Sequence, residues 1–233
     1  MMLRQICDTF LDIALPRACA LCGAPLIPGE SAPGPICAKC ALGFRPWSGE
    51  RCESCGLPLI SEKARCMRCR ASSFSFDSIY PLFPYAGSVR KLVSVYKKQR
   101  RPSLAPYIAK CFFEAYAARW ADRIIVPVPP RPEKAKAQGW DQVEEIARCL
   151  EKRGCRVARI LERRHSDQQK SLGRRARELN ANRAFALKVG TVSPEQPLLI
   201  DDVVTTCSTI DACAKALKEG GALSVSALAF AAD

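Results

Sequence analysis

Apolar and polar positions change period several times along this 233-residue chain. Leu3, Ile6, Phe10, Ile13 and Ala14 recur at helical spacing and predict an amphipathic helix over residues 2–15, stopped by Pro16. Large apolar side chains are then sparse until about residue 72. Phe74, Phe76, Ile79, Leu82 and Tyr85 predict extended segments broken by Pro81 and Pro84. Gly87 opens a helix whose apolar face is Val89, Leu92, Val93 and Val95. A second helix is expected over 104–120, a buried strand over 123–129 (RIIVPVP), and a helix over 141–153. Short strands follow over 157–161 and 184–189. The last third reads as a strand over 197–203, a helix over 210–219 and a closing strand over 223–231. Strands alternating with helices predict an α/β fold on a parallel sheet flanked by helices.

The apolar-poor stretch is organised by cysteine. Cys19-Ala-Leu-Cys22-Gly23 is echoed 33 residues later by Cys52-Glu-Ser-Cys55-Gly56, and each knuckle is followed by a plainer pair, Cys37/Cys40 and Cys66/Cys69. A C-x-x-C loop lets two thiolates reach one tetrahedral ion, and the glycine after it permits the positive φ of a tight turn. Two zinc sites are therefore expected, Cys19/Cys22/Cys37/Cys40 and Cys52/Cys55/Cys66/Cys69, with interleaved pairing as the alternative. Four cysteines close the coordination shell, so both zincs would be structural. Binding on the order of 10 kcal/mol per site can fold a segment too poor in apolar residues to fold by burial. The domain division that follows is an amino-terminal helix over 1–18, a double zinc ribbon over 19–72 and an α/β domain over 73–233.

Charge narrows the partners. Lys+Arg 36 against Asp+Glu 23 gives +13, and eight thiolates with two zinc ions lower this only to +9. An excess of this size favours an anionic partner such as nucleic acid, a membrane surface or polyphosphate. The helix after Gly87 carries Arg90, Lys91, Lys97, Lys98, Arg100 and Arg101 around Tyr96, a candidate base-stacking platform for single-stranded nucleic acid. A packed helix with solvated charges is the competing reading. No apolar run approaches the roughly 20 residues needed to span a bilayer. Asp8 and Asp12 interrupt the apolar core a signal peptide would need, and paired cysteines suit a reducing compartment, so the chain reads as soluble and cytoplasmic. The only histidine, His165, sits in a polar, basic passage over 163–183, long enough to be a lid, and reads as a solvated loop residue.

The strongest candidate chemistry lies over 198–209, LLIDDVVTTCST. An apolar strand ends in two carboxylates, Asp201 and Asp202, and Thr205, Thr206, Ser208 and Thr209 line the turn into the next helix. Ligands of an open parallel sheet sit beyond the carboxyl ends of its strands, and a turn opening a helix presents free N–H groups to an anion. Adjacent acids can accept from vicinal hydroxyls or help hold a divalent metal. The pattern suits a phosphorylated sugar.

This strand, acid pair and hydroxyl turn resemble the phosphoribosyl pyrophosphate (PRPP) motif of type I phosphoribosyltransferases. The cysteine ribbons, VPVPP at 126–130, QGWDQ at 138–142, the spaced Gln169, Leu172, Arg177 and Asn182, and the run DDVVTT with Gly220-Gly221-Ala222 resemble the competence protein F (ComF) family in particular. The resemblance implies a zinc-bearing domain joined to a phosphoribosyltransferase-like domain, in a cytoplasmic protein tied to natural transformation and incoming single-stranded DNA. It implies contacts with competence-machinery proteins and a PRPP pocket holding Mg2+. Asp201 and Asp202 would face the ribose hydroxyls, and Thr205, Thr206, Cys207, Ser208 and Thr209 would hold the 5′-phosphate. Val128, Pro129, Pro130 and Arg131 would form the pyrophosphate loop, and 163–183 the mobile hood. The alternatives are active transfer of the phosphoribosyl group to a base or amine, or a non-catalytic PRPP sensor or adaptor. Two positions depart from the family pattern. Cys207 stands where the motif usually has glycine, and QGWDQ stands where an arginine, an aromatic and an asparagine are more usual, with Lys134 and Lys136 as substitute cations. Cys207 also invites a second reading, a thiol activated by the helix start.

Overall fold

A computed structural model describes residues 18–26, 34–99, 101–130, 140–164 and 184–233. The expected amino-terminal helix, Arg100, Arg131, Lys134, Lys136, Gln138 and the hood from His165 to residue 183 lie outside the described residues.

Four parallel strands make the central sheet: β1 (Ser78–Pro84), β2 (Ile125–Pro127), β5 (Leu198–Val204) and β6 (Ser226–Ala232), in the order β1-β6-β5-β2. The inner strand β6 is buried throughout, as a parallel strand covered on both faces requires. The short strands expected over 157–161 and 184–189 depart from the plan. Val157 makes only an isolated parallel bridge to Ile125, while β3 (Leu161–Arg163) and β4 (Phe185–Leu187) pair antiparallel with each other, outside the sheet.

Helices cover both faces. α3 (Gly87–Lys98), α4 (Ala105–Arg119) and α5 (Gln142–Glu151) pack on the side of Leu82, Leu198, Ile200, Leu228 and Phe230. α6 (Ser208–Glu219) packs on the side of Ile79, Leu199, Ala227 and Ala229. Asp141 caps α5, accepting from the Glu144 N–H at 2.8 Å, which is why that helix begins where the polar-to-apolar pattern says it should.

Pro81 does not break β1, and Pro84 is its last residue. The strand is at the sheet edge, where a missing donor on the outer side costs no ladder bond. Ile79 shows which side is outer, since its N–H donates to the Ser54 carbonyl of the ribbon at 2.7 Å. Pro81, two residues on, shares that side, and its carbonyl accepts from Arg51 Nη1 at 2.8 Å.

The two ribbon halves straddle this edge. Cys19, Leu21 and Ile36 join the core on the α3–α4 face, where Phe44 sets its ring edge-on to Phe83 and Tyr107, 5.8 Å from each. Cys52, Cys55 and Cys69 join the core on the α6 face with Phe76 and Ile79. Each half ends in a one-turn helix that the sequence pattern did not foretell, α1 (Ala38–Ala41) and α2 (Met67–Arg70). Gly56 has φ +72, and a Cβ there would lie 2.3 Å from the Ile79 carbonyl oxygen, so this glycine serves both the knuckle turn and the docking on β1.

Candidate ligand pocket and zinc centres

The eight ribbon thiols form two groups in sequential pairing, Cys19/Cys22/Cys37/Cys40 and Cys52/Cys55/Cys66/Cys69, with all ligand atoms of a group within 4.8 Å of one another. Zinc–sulfur bonds of ~2.3 Å in a tetrahedron place sulfurs ~3.8 Å apart. The Cys22–Cys37 and Cys55–Cys66 sulfurs are each 3.7 Å apart, so both groups fit the ion. Knuckle amides prepare the ligands, the Cys37 N–H donating to Cys19 Sγ at 3.3 Å and the Cys66 N–H to Cys52 Sγ at 3.4 Å. Burial works to raise the Cys19 thiol, but the N–H groups of Cys37, Cys22 and Leu21 outweigh it and bring it down to about 6. Cys52 behaves alike, at about 6, with donors from Cys55, Cys66 and Ser54. Two tetra-cysteine zinc sites result.

The second constellation forms because β2 and β5 are parallel neighbours, so the segments beyond their carboxyl ends converge. The Val128 N–H donates to the Ile200 carbonyl at 3.1 Å, fixing the start of the Val128-Pro129-Pro130 turn beside the acid pair. A cavity of about 260 Å³ is lined there by Val128, Pro129, Pro130, Trp140, Asp141, Gln142, Arg163, Asp201, Asp202 and Thr209, together with Lys97. A smaller depression of about 30 Å³ continues over Thr205, Thr206, Cys207 and Ser208. Residues from five separate stretches of sequence thus meet around one space.

The acids are not equivalent. Burial, then the neighbouring Asp202 carboxylate, pushes Asp201 well above the ordinary carboxylate range, while the Asp202 N–H (2.8 Å) and Lys97 pull the other way. Asp202 pairs with Lys97 Nζ at 2.7 Å. Burial also raises Asp141. Trp140 Nε1 is buried and finds no hydrogen-bond partner among the described residues, which leaves a donor at the pocket wall.

Two expectations for α3 are corrected here. Tyr96 is no stacking platform: it is 1% exposed, its ring meets Trp140 edge-on at 5.2 Å, and its hydroxyl donates to the Gln142 carbonyl at 2.7 Å. It falls on the apolar face with Val89, Leu92 and Val93. Lys97 turns into the pocket, leaving Arg90, Lys91 and Lys98 exposed on α3 with Arg101 exposed just beyond. The activated-thiol reading of Cys207 is corrected too. The residue is 3% exposed, and burial raises its thiol despite the nearby Arg68. Its φ of +64 is the left-handed conformation a glycine would adopt more cheaply.

Sequence reasoning missed Lys97 as a residue of the pocket and Arg68 as a partner of the Thr205–Cys207 turn. Both sit in basic runs that read as surface charge, and only the packing of α3 and of the second ribbon aims them inward. Arg51 and Arg70 are likewise structural. Arg51 lies over Tyr80, 4.6 Å from the ring centre, and Arg70 donates to the carbonyls of Arg65 and Lys63.

These features define a double zinc ribbon protein with a phosphoribosyltransferase-like α/β domain. The double zinc ribbon family model matches residues 10–70. Competence protein ComFC of Streptococcus pneumoniae is 27% identical over 190 residues, 82% of this chain and 84% of that protein. The DNA utilization protein YhgH of Escherichia coli K12 is 27% identical over 222 residues, 91% of this chain and 96% of its own length. Competence protein ComFC of Bacillus subtilis is 23% identical over 194 residues, 80% and 79% of the two chains. Over most of its length the chain is thus similar to proteins named for competence and DNA utilization. No helix among the described residues is long and apolar enough to cross a membrane.

Proposed function

We propose that this chain is a cytoplasmic accessory of DNA uptake and utilisation that binds single-stranded DNA and carries a pocket for PRPP. The names of its relatives support the DNA role, and one observation carries the pocket: the Val128–Pro130 turn, the Asp201–Asp202 pair and Thr209 meet around a cavity of about 260 Å³, and a depression of about 30 Å³ lined by Asp201 and the Thr205–Thr209 loop adjoins it. In this reading the acids accept from the ribose hydroxyls, and the loop hydroxyls with the free amides at the start of α6 hold the 5′-phosphate. The turn after β2 takes the pyrophosphate, with Trp140 Nε1, Lys97 and Arg163 as cationic or donor groups nearby. Magnesium would offset the charge between pyrophosphate and acids. Exposed Arg90, Lys91, Lys98 and Arg101 supply the DNA-facing charge.

Titration of PRPP into zinc-loaded protein, with and without magnesium, tests the pocket. Saturable binding that is lost in Asp202→Asn supports it, and no binding at millimolar PRPP refutes it. Pyrophosphate release on adding a nitrogenous acceptor would mark an enzyme, and binding without release a sensor or adaptor.

A further inference from the structure

Cys207 and Ala64 are the non-glycine residues with positive φ among the described residues. A side chain in that conformation costs about 1 kcal/mol relative to glycine, yet here it is anchored. Arg68 Nη2 donates to Cys207 Sγ at 3.0 Å, and Arg68 Nη1 donates to the Thr205 carbonyl at 3.3 Å. One planar guanidinium therefore grips the loop at two points two residues apart, a fork that lysine cannot reproduce. Arg68 belongs to the other domain. It lies in α2 between the zinc ligands Cys66 and Cys69, so its backbone is placed by the second ribbon and not by the sheet. The thiol that it holds is packed in the same cluster as Cys52 and Cys69. A glycine at 207 would relax the backbone and give the guanidinium only the Thr205 carbonyl.

We propose that Arg68 is a positioning residue for the Thr205–Thr209 loop: the second zinc ribbon holds this loop in its left-handed form through Arg68 and Cys207, and phosphate-monoester binding at the loop depends on that hold. The ligand half rests on the pocket reading above, whereas the positioning half does not.

Zinc-loaded full-length chains carrying Arg68→Ala, Arg68→Lys or Arg65→Ala are compared with wild type by hydrogen exchange at the amides of residues 205–210 and by PRPP titration with magnesium. Losing two hydrogen bonds from a charged donor should speed loop exchange about tenfold and weaken PRPP binding about tenfold in Arg68→Ala. Arg68→Lys, able to serve one acceptor, should fall between. Arg65→Ala removes the same charge from the same ribbon and should match wild type, which excludes a general electrostatic cause. In a Cys207→Gly background the effect of Arg68→Ala should shrink several-fold, because one of its acceptors is gone. Loop exchange in Arg68→Ala equal to wild type, or an equal acceleration in Arg65→Ala, overturns the proposal whether or not PRPP binds. Accelerated exchange in Arg68→Ala alone, with no PRPP binding by wild type, supports the positioning role and refutes the pocket reading.

Discussion

Replacing Asp201 by asparagine should make the protein more stable while damaging its pocket. Asp201 is the central residue of β5, with its Oδ1 already accepting from the Asp202 N–H, a bond the amide oxygen can keep. What the substitution removes is a carboxylate raised, by burial and then by Asp202, to about 8. The sign follows from proton linkage. An acid whose folded pKa exceeds its unfolded value binds more protons when folded, so stability falls as pH rises from the ordinary carboxylate range, near 4, up to the folded value. At about 1.36 kcal/mol per unit, the raised carboxyl can cost up to about 5 kcal/mol at pH 8 but less than about 2 kcal/mol at pH 5. Water entering the open pocket reduces both figures, so a gain of about 2 kcal/mol for Asp201→Asn at pH 8 is expected, or about 4–8 °C in melting temperature for a chain of this size. Scanning calorimetry of zinc-loaded wild type and variant at pH 5 and pH 8 measures it. The gain should be clear at pH 8 and mostly gone at pH 5. A variant less stable than wild type at both pH values, or an equal gain at both, would show that the Asp201 environment has been misread. Stability given up at a carboxylate pair is what a site retained for binding, and not for folding, would exhibit.

Three further predictions concern the ribbons and the basic helix. Cys52→Ser should lower zinc content from two ions to one per chain by elemental analysis and destabilise the α6 face, with a melting transition lower than that of any ribbon arginine variant. Retention of two ions would refute the four-ligand assignment. Charge reversal at Arg90 and Lys91 together should weaken single-stranded DNA binding and reduce the dependence of log K on log salt by about 1.4, two phosphate contacts at about 0.7 each. Tyr96→Phe should leave DNA affinity unchanged and cost about 1 kcal/mol of stability through the lost bond to the Gln142 carbonyl, read by denaturant melts.

The elements with clean periodicity were readable in advance. The Val89/Leu92/Val93 stripe, the run LLI before Asp201 and the helix expected over 141–153 located α3, β5 and α5 to within a few residues, because burial on one face leaves a regular trace in sequence. The C-x-x-C-G repeat gave both metal groups, and the parallel sheet followed from alternation. What remained hidden depended on contacts distant along the chain. Pro81 reads as a strand breaker until β1 is known to be an edge strand. Tyr96 reads as exposed because its neighbours are lysines, whereas position on the helix, not the company along the chain, sets burial. Lys97 reaches the pocket from α3 and Arg68 reaches the Thr205–Cys207 turn from the ribbon, and no local pattern distinguishes them from solvated cations. The pairing of β3 with β4 also escaped, since two three-residue strands hold too few residues to show their partner.

The seating of the ribbons across β1 has a consequence for the life of the chain when metal is scarce. Ser54 and Arg51 occupy the outer hydrogen-bonding groups of Ile79 and Pro81, so the metal-bound knuckle acts as a cap on an otherwise open sheet margin. Chains stripped of zinc would present that margin to one another, and uncapped margins template intermolecular pairing. Zinc supply would then govern not only whether the ribbon folds but how long the protein stays dispersed, making metal starvation a route to clearance by precipitation or proteolysis.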